Sequence, residues 1–162
     1  MQMAAGNVYR SLPGPASMRS VAITQEELRQ LRELYQSVMS DAAFGLLVRE
    51  GAILGDTLVA SLGSVAAKGY FDAASEELRR RQWVERVEFS EGRIVVDGSI
   101  EATPGGSAAP TCHRLRGIIR KLYESRTGQK VYCKELECTS TGAPRCVFSV
   151  GEMGGWALGD HR

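Results

Sequence analysis

No apolar run in this sequence approaches the roughly 18 to 20 residues needed to cross a bilayer, because Gly, Asp, Arg or Lys interrupts each one within a few positions. A membrane span is therefore not expected. Net charge is scarce too: 20 basic against 19 acidic residues leave +1, so the totals carry neither a nucleic-acid footprint nor a sink for acidic ligands. The N-terminal stretch lacks a basic start followed by an apolar block, which argues against a secretory signal and for a cytoplasmic chain. Neither GxxxxGK(S/T) nor GxGxxG occurs, which removes the common phosphate-cradling and dinucleotide-binding motifs. A tight CxxC pair is also missing. What is present is four cysteines without an export signal; in a reducing compartment these read as metal ligands or small buried hydrophobes rather than as a disulfide framework.

The chain has 162 residues, 43% of them hydrophobic, enough for one domain with a substantial core. Residues 1–20 read as a flexible tail, 21–152 as the folded domain and 153–162 as a second tail. Thr24 with Glu27 forms a capping box, and Ile23 with Leu28 a hydrophobic staple, at the start of a first helix. Its apolar stripe runs through Leu28, Leu31, Leu34, Tyr35, Val38 and Met39. Ser40 and Asp41 offer the cap for a second helix carrying Phe44, Leu47, Val48, Leu54, Leu58, Val59 and Leu62. Gly51 and Gly55 lie one turn apart on it and cost about 1 kcal/mol each relative to Ala, so close approach by another backbone, in a helix crossing or a dimer, is the expected offset. Phe71, Ala74 and Leu78 mark a third helix ending in Arg79-Arg80-Arg81, a solvated face rather than a nucleic-acid patch.

From Trp83 the period changes. Trp83, Val87 and Phe89 alternate with charged residues, Ser90-Glu91-Gly92 turns the chain, and Ile94-Val95-Val96 returns it as a hairpin. Residues 102–111 are small, Pro- and Gly-rich, and expected to form a mobile loop. A fourth helix spans about Cys112 to Thr127, with Gly128 as its stop. Val131–Cys138 and Arg145–Val150 form a second hairpin around a turn holding Gly142 and Pro144. Helices first, then strands flanking one more helix, make an α+β domain.

The second hairpin can bring Cys138 and Cys146 together, and Cys112 opens the helix that feeds it, where a helix N-terminus favours a thiolate. A fourth ligand is open between Glu135, Cys133 and His113. In an ideal strand Cys133 and Glu135 share one face and Cys138 the other, so Glu135 joins Cys138 only through a bulge or strand end near Glu137. His113 lies about 100° around the helix from Cys112, which makes joint ligation awkward.

The residues Cys112-His-Arg-Leu-Arg-Gly117, Gly128-Gln-Lys-Val131, Glu135-Leu-Glu-Cys138, Gly142 and Cys146-Val-Phe148, with the upstream Gly98-Ser99-Ile-Glu-Ala102, resemble the 4-vinyl reductase domain family. The resemblance covers roughly residues 94–150. It implies a metal set of Cys112, Glu135, Cys138 and Cys146, and three thiolates with one carboxylate suit a closed, structural Zn²⁺ site. Such a site carries a charge near −2, for which Lys134, Arg145 or Arg114 are candidate outer donors. The resemblance further implies a fold shared with TRAPP vesicle-tethering subunits and nitric-oxide sensor domains, usually as a homodimer. In aromatic-responsive transcription activators the family's domain binds phenol-like ligands beside the zinc and regulates an attached ATPase. Phenol-sensing members carry a Trp where this chain has Val96, and only His113 and His161 could supply an imidazole to a ligand.

Three functions follow as expectations. The first is a non-catalytic sensor of hydrophobic or aromatic small molecules, signalling through a partner chain. Its pocket would lie between helices and sheet and be lined by Phe44, Val48, Trp83, Val96, Ile119 and Tyr132, although any of these could simply be core. The second is a dimeric scaffold resembling the tethering subunits, built on the Gly51/Gly55 helix. The third, ranked last, is an accessory role in tetrapyrrole vinyl reduction, since no hydride-carrier fingerprint is visible and a closed metal site leaves no position for substrate.

Overall fold

The computed structural model describes residues 19–153; most of the two expected tails lies outside the described residues. Four helices and four strands follow in the order α1 (Gln25–Met39), α2 (Ala42–Leu62), α3 (Tyr70–Arg80), β1 (Arg86–Ser90), β2 (Arg93–Asp97), α4 (His113–Thr127), β3 (Val131–Glu137) and β4 (Cys146–Glu152). The strands make one antiparallel sheet of order β1-β2-β4-β3. Helix α4 supplies the centre of the core: Leu115, Ile118, Ile119 and Leu122 have no exposure and pack with Ile94, Val96 and Phe148 of the sheet. The expected α+β class holds.

The expected capping box forms on α1, with the Glu27 amide donating to Thr24 Oγ1 and the Thr24 amide donating to Glu27 Oε2. The stripe behind it is less buried than its period implies. Leu28 is the only buried residue of α1, while Leu34, Val38 and Met39 are exposed, because α1 lies on the outside of α2 rather than on the sheet. Asp41 makes no side-chain cap bond to α2.

The two α2 glycines are consumed inside the chain. A Cβ on Gly51 would meet the Arg114 backbone, one on Gly55 the Lys121 side chain and the Ile118 backbone, and one on Gly117 the Val48 carbonyl. Helices α2 and α4 thus cross with their backbones nearly touching, and Gly51 and Gly55 are not available to build a dimer as the scaffold reading expected. The loop expected to be mobile is tied down: the Gly105 amide donates to the Thr139 carbonyl, Ser107 to the Ser140 carbonyl and Thr103 to Ser140 Oγ. No helix among the described residues is long and apolar enough to cross a membrane.

Candidate metal centre

Strand β3 starts with ordinary alternation and then loses it. Its register against β4 shifts between Glu135 and Glu137, the irregularity that Glu135 needs in order to share a side with Cys138. The turn after it carries Cys138 back toward Cys146 at the start of β4, and Cys112 stands at the N-cap of α4. One ligand atom from each of Cys112, Glu135, Cys138 and Cys146 falls within 4.8 Å of all the others. The three cysteines have no solvent exposure. The residues of the expected metal set are therefore brought together.

Small neutral polar groups surround the cluster. Cys112 and Cys146 sulfurs are 3.7 Å apart, Cys112 Sγ donates to Ser99 Oγ at 3.3 Å, and the Cys112 amide donates to Glu135 Oε2 at 3.2 Å. The Thr139 amide donates to Cys146 Sγ at 3.4 Å, and Thr111 Oγ1 lies 3.7 Å from Cys138 Sγ. None of the cationic outer donors anticipated from charge takes this place. Arg145 pairs with Asp97, Arg114 with Glu50 and Glu101, and Lys134 is exposed.

The electrostatics belong to an acid cluster holding few charges. Hydrogen bonds from Cys112 and Cys146 hold the Cys138 thiol far below its usual range. Its contacts with Cys138 and then Cys146, with burial, push Cys112 well above that range, opposite to the helix-terminus expectation, because a thiolate neighbour outweighs the helix dipole at this distance. Burial, then the charge of Cys138, pushes Glu135 up to about 8. Glu135 Oε1 is buried with no hydrogen-bond partner, an orphaned polar atom that would be satisfied as a ligand once the carboxyl gives up its proton. The donor chemistry and this unpaired oxygen fit a metal ion. The competing fourth ligands lie elsewhere: Cys133 is outside the cluster, with burial raising it to about 12, and His113 stacks on Phe44 at a centroid distance of 4.4 Å.

Sequence reasoning missed Glu101. Its carboxylate accepts the amides of Arg114 and Leu115 at 3.2 and 2.8 Å, capping α4 from another segment where Cys112 makes no side-chain cap bond. It also faces the buried Arg114 guanidinium, which donates to Glu50 Oε2 at 2.8 Å. Arg114 forms the floor of a cavity of about 620 Å³ between α1, α2 and the Arg81–Trp83 segment, with Leu28, Leu31, Tyr35, Ile53 and Trp83 on its walls. Of the six expected pocket residues only Trp83 lines it. Val96 and Ile119 are fully buried in the core, Phe44 is the stacking partner of His113, the Val48 carbonyl abuts Gly117, and the Tyr132 ring lies against Gly151.

Comparison with known proteins agrees with this architecture. Residues 93–152 match the family model of the 4-vinyl reductase domain. The phenol-responsive sensory domain of the transcription activator PoxR, solved with phenol, superposes with a TM-score of 0.68 at 20% identity, over 86% of this chain and 79% of that one. A vinyl-4-reductase family protein from Methanocaldococcus jannaschii gives a TM-score of 0.56 at 16% identity, over 85% of each chain. No curated protein matches.

Proposed function

With residues 93–152 matched to the 4-vinyl reductase domain, we propose that this protein is a non-catalytic small-molecule-binding domain whose α4 is fastened to the sheet by a structural zinc ion. The cavity floored by Arg114 carries the reading. Its volume of about 620 Å³ lies within the ~300–1,000 Å³ of small-molecule sites, and a mostly apolar wall with a few convergent polar groups is their usual make-up. Arg114 sits two residues beyond Cys112, so the same first turn of α4 serves cavity and cluster. The likeness to the PoxR sensory domain supports sensing of an apolar or aromatic molecule, with the signal handed to a partner chain.

Cys112, Glu135, Cys138 and Cys146 would hold the ion, which when bound replaces shared protons as the link between α4, β3 and β4. The 3.7 Å separation of the Cys112 and Cys146 sulfurs is close to the ~3.8 Å edge of a tetrahedron with zinc–sulfur bonds near 2.3 Å. Four protein ligands would close such a site, which supports a function in the cavity rather than on the metal.

The test is a thermal-shift titration with neutral aromatic and alicyclic compounds on the wild type and on Ile53→Arg. Ile53 is 68% exposed, so the substitution charges the cavity wall without opening the core. Saturable rises in Tm that vanish in Ile53→Arg support the reading; no rise across a broad apolar set rejects it.

An adaptor reading is favoured by one observation. Eight of the eleven exposed large apolar side chains among the described residues lie between Val21 and Leu54, a concentration that a second chain could cover. A homodimer formed there would use the outer face of α1 and α2 instead of the glycine stripe.

A further inference from the structure

We propose that the polar groove between the Gly98–Pro104 segment and the Thr139–Pro144 turn is the route by which a metal ion reaches and leaves the cysteine cluster. This inference rests on the metal-centre reading above and adds to it a path and the residues that line it.

The three cysteines are shut off from solvent, so an ion needs a passage. The sheet side is closed by apolar core: Val96 stands opposite Cys146 across the β2–β4 pair and Phe148 opposite Glu135 across β3–β4, both without exposure. A partly dehydrated cation finds no oxygen partners there. On the other side lies an open groove of about 770 Å³. Two of its lining residues are Ser99 and Thr139, the same residues whose hydroxyls bond the sulfurs of Cys112 and Cys146 at 3.3 and 3.4 Å. One hydroxyl layer therefore separates the groove from two of the four ligands. Gln25 and Glu85 add oxygen donors along the walls, the Arg79 guanidinium that also lines the groove is engaged by the Glu85 carbonyl and Glu76, and Pro104 and Pro144 stand exposed in its lining.

The chemistry suits stepwise exchange. Along this path the Ser99 and Thr139 hydroxyls would replace water around an incoming ion before the thiolates do, and protons released by the ligands would leave through the same groove. A groove of about 770 Å³ has room for a small chelate as well as the hydrated ion. The rival passage runs past the β3 edge, where Leu136 is 51% exposed beside Glu135.

The experiment uses the zinc-loaded full chain after one bound metal per chain has been established. Release into the chromogenic chelator 4-(2-pyridylazo)resorcinol and uptake of added zinc are timed for the wild type, Pro104→Trp, Pro144→Trp and Leu136→Trp. All three residues are exposed and none belongs to the candidate ligand set, and equilibrium affinity measured beside the rates separates a change of access from a change of the site. Both groove variants should slow release and uptake by the same several-fold factor while equilibrium affinity stays constant, and Leu136→Trp should match the wild type. Thr139→Val, which removes an outer partner of a ligand, should instead weaken affinity by about 10- to 100-fold. Wild-type release should also rise with chelator concentration. The route is overturned if the groove tryptophans leave both rates unchanged, if Leu136→Trp alone slows them, or if release is independent of chelator and equals the rate of global unfolding. Chelator-independent release overturns the route even where a tryptophan variant misfolds. A chain that binds no metal rejects the metal centre together with the route; one bound metal with groove-insensitive rates rejects the route alone.

Discussion

Cys133 and Cys138 lie five positions apart on one hairpin arm, yet their surroundings give them opposite chemistry. Cys138 is held as the thiolate by its sulfur neighbours, whereas burial keeps Cys133 protonated, at about 12. Cys138→Ala should therefore abolish stoichiometric metal and lower Tm sharply, because structural zinc binding is folding free energy. Cys133→Ala should keep the metal and cost only about 1 kcal/mol; metal analysis beside thermal melts separates the two. Protonation gives a second handle. Glu135 sits at about 8 and Cys112 well above its ordinary value, so both carry protons at neutral pH and must lose them to ligate. Metal affinity should accordingly rise with pH through about 8 and fall below it, with proton release visible as a buffer-dependent binding heat in calorimetry. A pH-independent affinity would exclude Glu135 from the ligand set.

At the scale of elements, α4 is fixed at three places: the cluster at its N-cap, Glu101 over its first amides, and the glycine crossing with α2. Glu101→Ala would strip a buried guanidinium of one carboxylate and two amides of their acceptor, a loss of about 3–5 kcal/mol by the usual cost of breaking a buried pair. The pH signature follows from its titration. Burial raises Glu101 from 4.5 to about 7, against the lowering influence of the Leu115 amide and of Arg114. A folded-state value above the unfolded one gives a stability contribution that is complete below about pH 4.5 and is lost as pH rises through about 7. Glu101→Gln should flatten that slope in urea melts run between these limits. Gly117→Ala should cost about 1–3 kcal/mol or more, since its methyl would run into α2 backbone at the Val48 carbonyl oxygen, the Ala52 nitrogen and the Gly51 carbonyl carbon. These elements were unequally legible in sequence. The bulge in β3 could be anticipated, because strand alternation sets Cys133 and Glu135 against Cys138 and only an irregularity near Glu137 reconciles them. The close approach at Gly51 was readable as a need but not as a partner. Glu101 stands in the family pattern with no role legible from sequence: it caps α4 from a separate upstream segment, 13 positions before the Arg114 amide it accepts, and capping signals are legible only when cap and helix adjoin in sequence.

For the molecule as a whole, the apolar period of α1 pointed to burial and the fold left much of it outside. Periodicity reports which side of a helix is apolar; whether core, ligand or another chain covers that side is decided by tertiary packing. The same limit scattered the expected pocket residues, because the chain shows which residues are large and apolar but not where their packing leaves a gap. The cavity and the exposed apolar patch share Val21, Ile23, Ile53 and Leu54, so ligand binding and self-association would draw on overlapping surface and can be separated by mass action. A ligand at 100 times its Kd stabilises the folded state by about 2.7 kcal/mol, several degrees in Tm, whatever the protein concentration. A dimer on the same face makes Tm climb with protein concentration even without ligand. We expect the ligand-type response for the isolated chain: Tm independent of protein concentration from micromolar to hundreds of micromolar, and raised by a neutral aromatic compound. Val38→Glu, which charges the outer face at a residue 75% exposed and outside the cavity lining, should leave that rise intact. Concentration-dependent melting abolished by Val38→Glu would instead assign the face to a second copy and make the cavity part of that interface.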